Sequence, residues 1–228
     1  MALGRLTNME VGWAKPAQPH VLKPAVFLDK DGTLIVDVPY NVDPEQIQLQ
    51  PGAASAVQRL HQAGYALVVV SNQSGVARGY FAEAALKTVE QRLQELLGVP
   101  LAGFYYCPHY PTGVVPEYAI ACSCRKPEPG MLLQAAADLH LDMSRSWMIG
   151  DILNDVEAAH RAGCCAILID NGNETEWEMT EGRSPDFTAP DMAIAANFIL
   201  HQAKDDDTNG FDADVSRSLR PSARVGDR

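Results

Sequence analysis

Apolar and polar residues follow two rhythms along this chain. Ala25-Val-Phe-Leu28 is a short apolar run that ends directly in Asp29, and Tyr65-Ala-Leu-Val-Val-Val70 is a longer one. Unbroken apolar runs of this length predict strands covered on both faces. Gly103-Phe-Tyr-Tyr106, Trp147-Met-Ile149 and Ala166-Ile-Leu-Ile169 extend the set. Between the runs, apolar residues recur at helical spacing. Val57, Leu60 and Ala63 form one stripe that stops at Gly64, and Leu86, Val89, Leu93 and Leu96 form another ahead of Gly98 and Pro100. Further helices are expected over 131–139, over 154–162 before Gly163, and over 191–201. Strands alternating with helices predict an α/β fold with a mainly parallel sheet covered on both faces.

The two ends lack this periodicity. Residues 1–22, with Trp13, Pro16 and Pro19, read as an extended arm, and 203–228, opening on Lys204-Asp-Asp-Asp207, as a flexible tail. One folded unit is expected over 23–202. The 228 residues suffice for a sizeable core, and 46% of them are apolar. Acidic residues outnumber basic ones 29 to 18, a net charge of -11, which is the wrong balance for a general nucleic-acid binder. No apolar run approaches the roughly 18 residues of a membrane span. The N-terminal sequence does not read as a secretory signal, so a cytoplasmic location is expected.

Three expected strands end in polar residues that could converge. The run at 25–28 leads into Asp29-Lys-Asp-Gly-Thr33, that at 65–70 into Ser71-Asn-Gln-Ser-Gly75, and that at 147–149 into Gly150-Asp151, with Asp155 following. Taken singly, each could be an ordinary cap or turn. Together they match the place where open α/β sheets bind ligands. Close carboxylates repel and need a cation or a shared proton. A trio of oxygen donors suits Mg²⁺ better than Zn²⁺. Beside a divalent cation, a carboxylate can approach an anionic phosphate and attack phosphorus, forming an aspartyl phosphate. Lys126 tips the choice towards phosphate, because a point charge near Ser71 would offset the phosphoryl oxygens.

The pieces AVFLDKDGT (25–33), VVVSNQSG (68–75), RKP (125–127) and MIGDILND (148–155) resemble the haloacid dehalogenase-like phosphohydrolases. Within that superfamily, SNQSGVARG (71–79) and CPHYP with CSCRKPEPGM (107–131) are similar to the heptose-bisphosphate phosphatases and their histidinol-phosphatase relatives. The resemblance spans about 23–175. It implies a Rossmann-like three-layer α/β/α sandwich without the lid domain of many relatives. It also implies that Asp29 is the nucleophile and that Asp31 serves first as general acid, then as general base. The carboxylates of Asp29 and Asp151 and the backbone carbonyl of Asp31 would bind Mg²⁺. Ser71 and Lys126 would hold the phosphoryl group, Gly32 and Thr33 would shape the turn, and Asp155 would orient the loop. Substrate contacts would come from Asp37, Val38, Pro39, Tyr40, Ser71, Asn72, Gln73, Ser74, Arg125 and Lys126. Lys30 would point away from the metal. For Arg125 two readings stand: paired hydrogen bonds to a second phosphate or sugar oxygens, or a salt bridge supporting the loop.

Cys107-Pro-His109 and Cys122-Ser-Cys124 give C-x-H-x12-C-x-C. Buried thiols can cluster by chance, but two ligand pairs joined by a loop rich in Pro and Gly fit a four-coordinate zinc. All four positions match the zinc site of the heptose-bisphosphate phosphatases, which implies a closed structural site placing Arg125 and Lys126. Cys164 and Cys165 are left to packing.

The chain also departs from its relatives. Ile152 stands where they usually carry Lys, and Asp170-Asn171-Gly172 where they often carry Arg-Thr-Gly, while 173–190 is longer and more acidic. The expected activity is a magnesium-dependent phosphatase acting on a small sugar (bis)phosphate, the protein working as a monomer. Histidinol phosphate, another sugar phosphate, or a zinc-stapled binding protein without turnover are the alternatives.

Overall fold

A computed structural model describes residues 22–217; residues 1–21 and 218–228, which hold most of the expected arm and the end of the expected tail, lie outside them. Strands β1 (Ala25–Leu28), β2 (Ala66–Asn72), β3 (Gly103–Cys107), β4 (Trp147–Gly150), β5 (Cys165–Ile169) and β6 (Phe187–Ala189) form one sheet in the order β3-β2-β1-β4-β5-β6. Every neighbouring pair is parallel. The helices are α1 (Ala53–Gln62), α2 (Leu86–Leu97), α3 (Gly130–Leu139), α4 (Leu153–Ala162) and α5 (Met192–Arg217).

Successive strand side chains point to opposite faces, and the core divides accordingly. Val26, Leu28, Leu67, Val69, Ile149 and Ile167 pack with Val57 and Leu60 of α1, Val89 and Leu93 of α2, and Ala195 and Ile199 of α5. Ala25, Phe27, Val68, Val70, Met148 and Leu168 pack on the other face with Leu132 and Ala135 of α3 and Val156 and Ala159 of α4. Three layers result, and among the described residues no lid domain interrupts them. Phe27 is fully buried in the second cluster. Phe27→Ala is expected to cost about 3–5 kcal/mol, the range for emptying an aromatic core site, read as a lower urea midpoint.

Two differences from the sequence reading have local causes. β6 was not foreseen: three residues between Pro185 and Pro190 are too short to show a period. α5 runs past the expected end at His201 into the segment read as tail. Lys204-Asp-Asp-Asp207 marks the loss of an apolar stripe, but no Pro or Gly interrupts the chain before Gly210, and the backbone stays helical.

The order places the functional ends. From β1 the chain first builds outward through β2 and β3, then returns beside β1 with β4 and continues to β5 and β6. The carboxyl ends of β1 and β4 therefore flank the topological switch point, where such sheets bind ligands. Asp29 follows β1 and Asp151 follows β4.

Candidate active site

Asp29 is fixed at the end of β1 by its own amide, which donates to the Ile149 carbonyl on β4 at 2.9 Å. Its carboxylate receives Lys126 Nζ at 2.5 Å. The same ammonium donates to the Val70 carbonyl at 2.9 Å and pairs with Asp155 at 2.6 Å. Lys126 is thus a buried hub joining the end of β1, the carboxyl-terminal part of β2 and the first turn of α4. Burial pulls its pKa down, but the charges of Asp155 and Asp29 outweigh that and hold it above the ordinary lysine value. Its backbone is clamped as well: Lys126 N donates to Asn72 Oδ1 at 3.0 Å, and Asn72 Nδ2 donates back to the Lys126 carbonyl at 3.1 Å. Asn72 therefore also positions Lys126, beyond the substrate contact expected of it.

Carboxylate oxygens of Asp29, Asp151 and Asp155 lie within 4.8 Å of one another, and all three residues are buried. One ammonium does not balance three carboxylates. Burial raises the Asp29 carboxyl well above the usual range; Lys126 opposes this, while Asp155, Asp151 and Asp31 reinforce it. Burial, then the charge of Asp155, push Asp151 up to about 6. A buried, oxygen-only, net-negative group of this kind fits a hard divalent cation such as Mg²⁺. Asp155, expected to orient the loop, accepts from Ile152 N at 3.4 Å ahead of α4. It also lies in the carboxylate group itself, closer to the reaction centre than the sequence reading placed it.

The turn between Asp31 and Thr33 is tightly determined. Gly32 has φ +82°, and a side chain there would strike the Asp151 carboxylate and the Asn173 amide. The Gly32 carbonyl accepts from Gln50 Nε2 at 3.1 Å and Asn171 Nδ2 at 2.9 Å. Thr33 Oγ1 donates to Asp151 Oδ1 at 3.2 Å, and Asn173 Nδ2 donates to Asp151 Oδ2 at 2.7 Å. Asn171 and Asn173 were missed as site residues. Their signal was the departures at 170–172, which holds Asn171, and at 173–190, which opens on Asn173.

Asp31 stands across from this group. Gln73 Nε2 donates both to Asp31 Oδ2 at 3.1 Å and to Ser71 Oγ at 2.8 Å. Lys30, expected to point away from the metal, is buried and ion-paired with Asp31. A cleft of about 280 Å³ opens beside these groups, lined by Lys30, Asp31, Asp37, Pro39, Tyr40, Asn41, Asn72, Gln73, Ser74 and Gly75. Most of the expected substrate contacts therefore share one wall set; Val38, Ser71, Arg125 and Lys126 do not line the cleft. Partial burial and the Asp31 charge raise the Asp37 carboxyl, with Lys30 opposing. Tyr40 sits in the left-handed region at φ 57°, with its ring edge-on to Tyr80 at 4.6 Å.

The second cluster lies at the end of β3. Among Cys107, His109, Cys122 and Cys124, the sulfur and Nδ1 contacts run from 3.1 Å (Cys107–Cys124) to 3.7 Å (Cys107–His109). A tetrahedral zinc, with bonds of about 2.3 Å to sulfur and 2.0 Å to nitrogen, spaces its donors roughly 3.5–3.8 Å apart. The set fits a zinc drawn in slightly. Burial raises the Cys107 and Cys124 thiols. Burial also acts upward on Cys122, but hydrogen bonds from Cys124, the Arg125 amide and Cys107 prevail, so its net shift is down. A cation would let all three ionise. Cys164 packs in the core against the α4 carbonyl of Ala159, as expected of a packing residue.

The sequence matches the HAD-hydrolase-like family over residues 123–195. It is 47% identical over 185 residues to the D-glycero-beta-D-manno-heptose-1,7-bisphosphate 7-phosphatase of Salmonella typhi, covering 79% of this chain and 97% of that one. Among solved structures, a HAD-like phosphatase from Mesorhizobium loti superposes with a TM-score of 0.67 at 38% identity, covering 78% of this chain and 88% of that one. The D,D-heptose 1,7-bisphosphate phosphatase from B. bronchiseptica, complexed with magnesium and phosphate, does so with a TM-score of 0.65 at 30% identity, covering 78% and 99%.

Proposed function

From the premise that this chain belongs to the D-glycero-D-manno-heptose-1,7-bisphosphate 7-phosphatases within the haloacid dehalogenase-like hydrolases, we propose that it removes the 7-phosphate of heptose 1,7-bisphosphate through a phosphorylated Asp29. The observation that carries this reading is the joint of Asp29, Lys126, Asp151 and Asp155 at the switch point, with Asp31 and Ser71 bridged by Gln73 beside an open cleft.

Asp29 attacks phosphorus, and the bond to the sugar oxygen breaks. Asp31 gives its proton to that oxygen, which leaves as a hydroxyl of heptose 1-phosphate. Asp31, now a carboxylate, takes a proton from water, whose oxygen attacks phosphorus and displaces Asp29. Free carboxylate and inorganic phosphate result, and Asp31 is protonated again. Such role switching is what a two-step hydrolysis requires. Lys126 and Ser71 hold the phosphoryl oxygens, and Gln73 keeps Asp31 and Ser71 in register. Mg²⁺, held by Asp29, Asp151 and the Asp31 carbonyl, would supply charge neutralisation between anionic nucleophile and anionic substrate. Zinc, held by Cys107, His109, Cys122 and Cys124, would fix the loop from which Arg125 and Lys126 project.

An intact set of reacting groups counts against a binding protein without turnover. The acidic balance and the small cleft support a small phosphorylated metabolite over a nucleic acid, and among the described residues no helix is long and apolar enough to cross a membrane. Ile152 and the 170–172 departure favour comparing a second substrate. The test is turnover of purified, magnesium-loaded protein on heptose 1,7-bisphosphate, histidinol phosphate and common sugar monophosphates. The expected result is the highest kcat/KM for the heptose bisphosphate. A higher value for histidinol phosphate would reassign the substrate while leaving the chemistry.

A further inference from the structure

Loop 73–80 leaves β2 and packs on the zinc loop. Ala77 N donates to the Pro108 carbonyl at 3.2 Å, and the Ala77 carbonyl accepts from Val114 N and Val115 N at 2.8 and 3.0 Å. Arg78 is thereby held at the carboxyl end of the sheet. Its guanidinium carbon stands 4.0 Å from the centre of the Tyr110 ring, and that of Arg125 stands 5.2 Å from the same centre.

Neither arginine has a carboxylate partner among the described residues. Arg92, Arg161 and Arg183 each find a glutamate, as a chain of net charge -11 readily allows. Arg78 Nε and Arg125 Nη1 are buried without any hydrogen-bond acceptor. Two guanidiniums on one ring repel each other, and a buried donor left unpaired costs free energy comparable to a lost hydrogen bond. An anion would relieve both. The salt-bridge reading of Arg125 finds no partner among the described residues, which leaves its substrate-facing reading, on a side chain that stands outside the cleft lining.

We propose that Arg78 is a second specificity-determining residue, which together with Arg125 seats the distal phosphate of a bisphosphate substrate, and that Tyr110 is the positioning residue that holds both guanidiniums. Guanidinium forks match phosphate oxygens in paired hydrogen bonds, and an aromatic face orients a guanidinium without using its donors. The proposal rests on the bisphosphate reading above.

The experiment compares kcat/KM for heptose 1,7-bisphosphate with that for 4-nitrophenyl phosphate, which lacks a distal phosphate. Both are measured in the full-length, magnesium-loaded wild type, Arg78→Ala, Tyr110→Leu and Tyr110→Phe, with zinc content confirmed for each. Arg78→Ala is expected to lower the ratio of the two values about 10–100-fold, the range for losing one hydrogen bond to a charged group, mainly through KM. Tyr110→Leu should lower it less, and Tyr110→Phe should restore it because the ring face remains. Should Arg78→Ala misfold, Arg78→Lys keeps the charge, loses the fork, and reads the same ratio. Equal losses on both substrates, or an unchanged ratio, would overturn the role of Arg78. Failure of Tyr110→Phe to outperform Tyr110→Leu would overturn the role of Tyr110. A wild type with no preference for the bisphosphate would instead sink the substrate reading itself, a result distinguishable from either.

Discussion

Asp29→Asn is expected to abolish phosphate release while leaving the protein folded. The substitution keeps the side chain's shape and removes the nucleophilic oxygen's charge. It also relieves a buried carboxylate whose ionisation burial and three neighbouring acids oppose. Lys126 keeps Asp155 as a charged partner at 2.6 Å, so no buried cation is orphaned. The fold should therefore survive, checked by circular dichroism and by urea unfolding. Asp31→Asn should behave differently. It loses leaving-group protonation and water activation, about 10²–10⁴-fold for general acid–base catalysis, yet keeps the nucleophile. With 4-nitrophenyl phosphate, whose leaving group needs little protonation, the first step should outrun the second. A burst of nitrophenol and a trapped phosphoprotein should appear in Asp31→Asn and be absent from Asp29→Asn. Near-normal steady-state release by folded Asp29→Asn would remove Asp29 from the role of nucleophile.

That contrast rests on residues visible in the sequence, because they follow closely on a strand whose apolar run could be read locally. Asp29 follows Ala25–Leu28 without a spacer, and Gly150-Asp151 closes β4 in the same way. The strand core was legible because burial on both faces leaves no polar interruption. What stayed hidden depends on contacts distant in sequence. Asn171 and Asn173 reach the turn at Gly32 and the Asp151 carboxylate across the sheet, and no local spacing encodes that approach. The partner of Lys30 was hidden for a related reason. The chain turns at Gly32, where φ is +82°, and Lys30 pairs with Asp31, a contact that the reading of Lys30 as facing away from the metal did not include. β6 lies between two prolines and takes its place only because β5 offers it a parallel edge.

The departures from relatives acquire a physical reading here. Glu174 Oε2 accepts from Leu153 N at 2.6 Å, placing a carboxylate at the amino end of α4, where the helix dipole favours it. Ile152, immediately before it, donates its amide to Asp155. Position 152 therefore keeps a backbone role that does not depend on the side chain. The segment 171–174 answers with amide and carboxylate contacts to the Gly32 turn, to Asp151 and to α4. The alteration touches the rim and support of the site and leaves Asp29, Asp31, Lys126 and Asp151 in place.

Cys124→Ser is expected to release zinc and reduce turnover, although Cys124 touches no reacting atom. Its sulfur contacts Cys107, Cys122 and His109 Nδ1 at 3.1, 3.2 and 3.3 Å, and Arg125 and Lys126 follow it directly. The other end of the cluster is anchored in the sheet: Cys107 pairs in register with Asn72, and its carbonyl accepts from Gln73 N at 2.8 Å. One ion would therefore brace both the loop that aims Lys126 and the strand end that presents Ser71. The clamp between Asn72 and the Lys126 backbone should preserve part of the arrangement. The expected loss in kcat/KM is accordingly about 10–100-fold, the scale seen when supporting contacts of a site are removed. Stability should fall by several kcal/mol, because metal binding free energy is folding free energy where the site is built by the fold. Cys164→Ser, at a buried thiol outside the cluster, should retain zinc and serve as the control. Elemental analysis after dialysis against a mild chelator should find about one zinc per wild-type chain and none in Cys124→Ser. Wild-type protein that is folded, fully active and free of zinc would show that the four donors are a cluster of ordinary thiols and an imidazole, and that the loop is held by its hydrogen bonds alone.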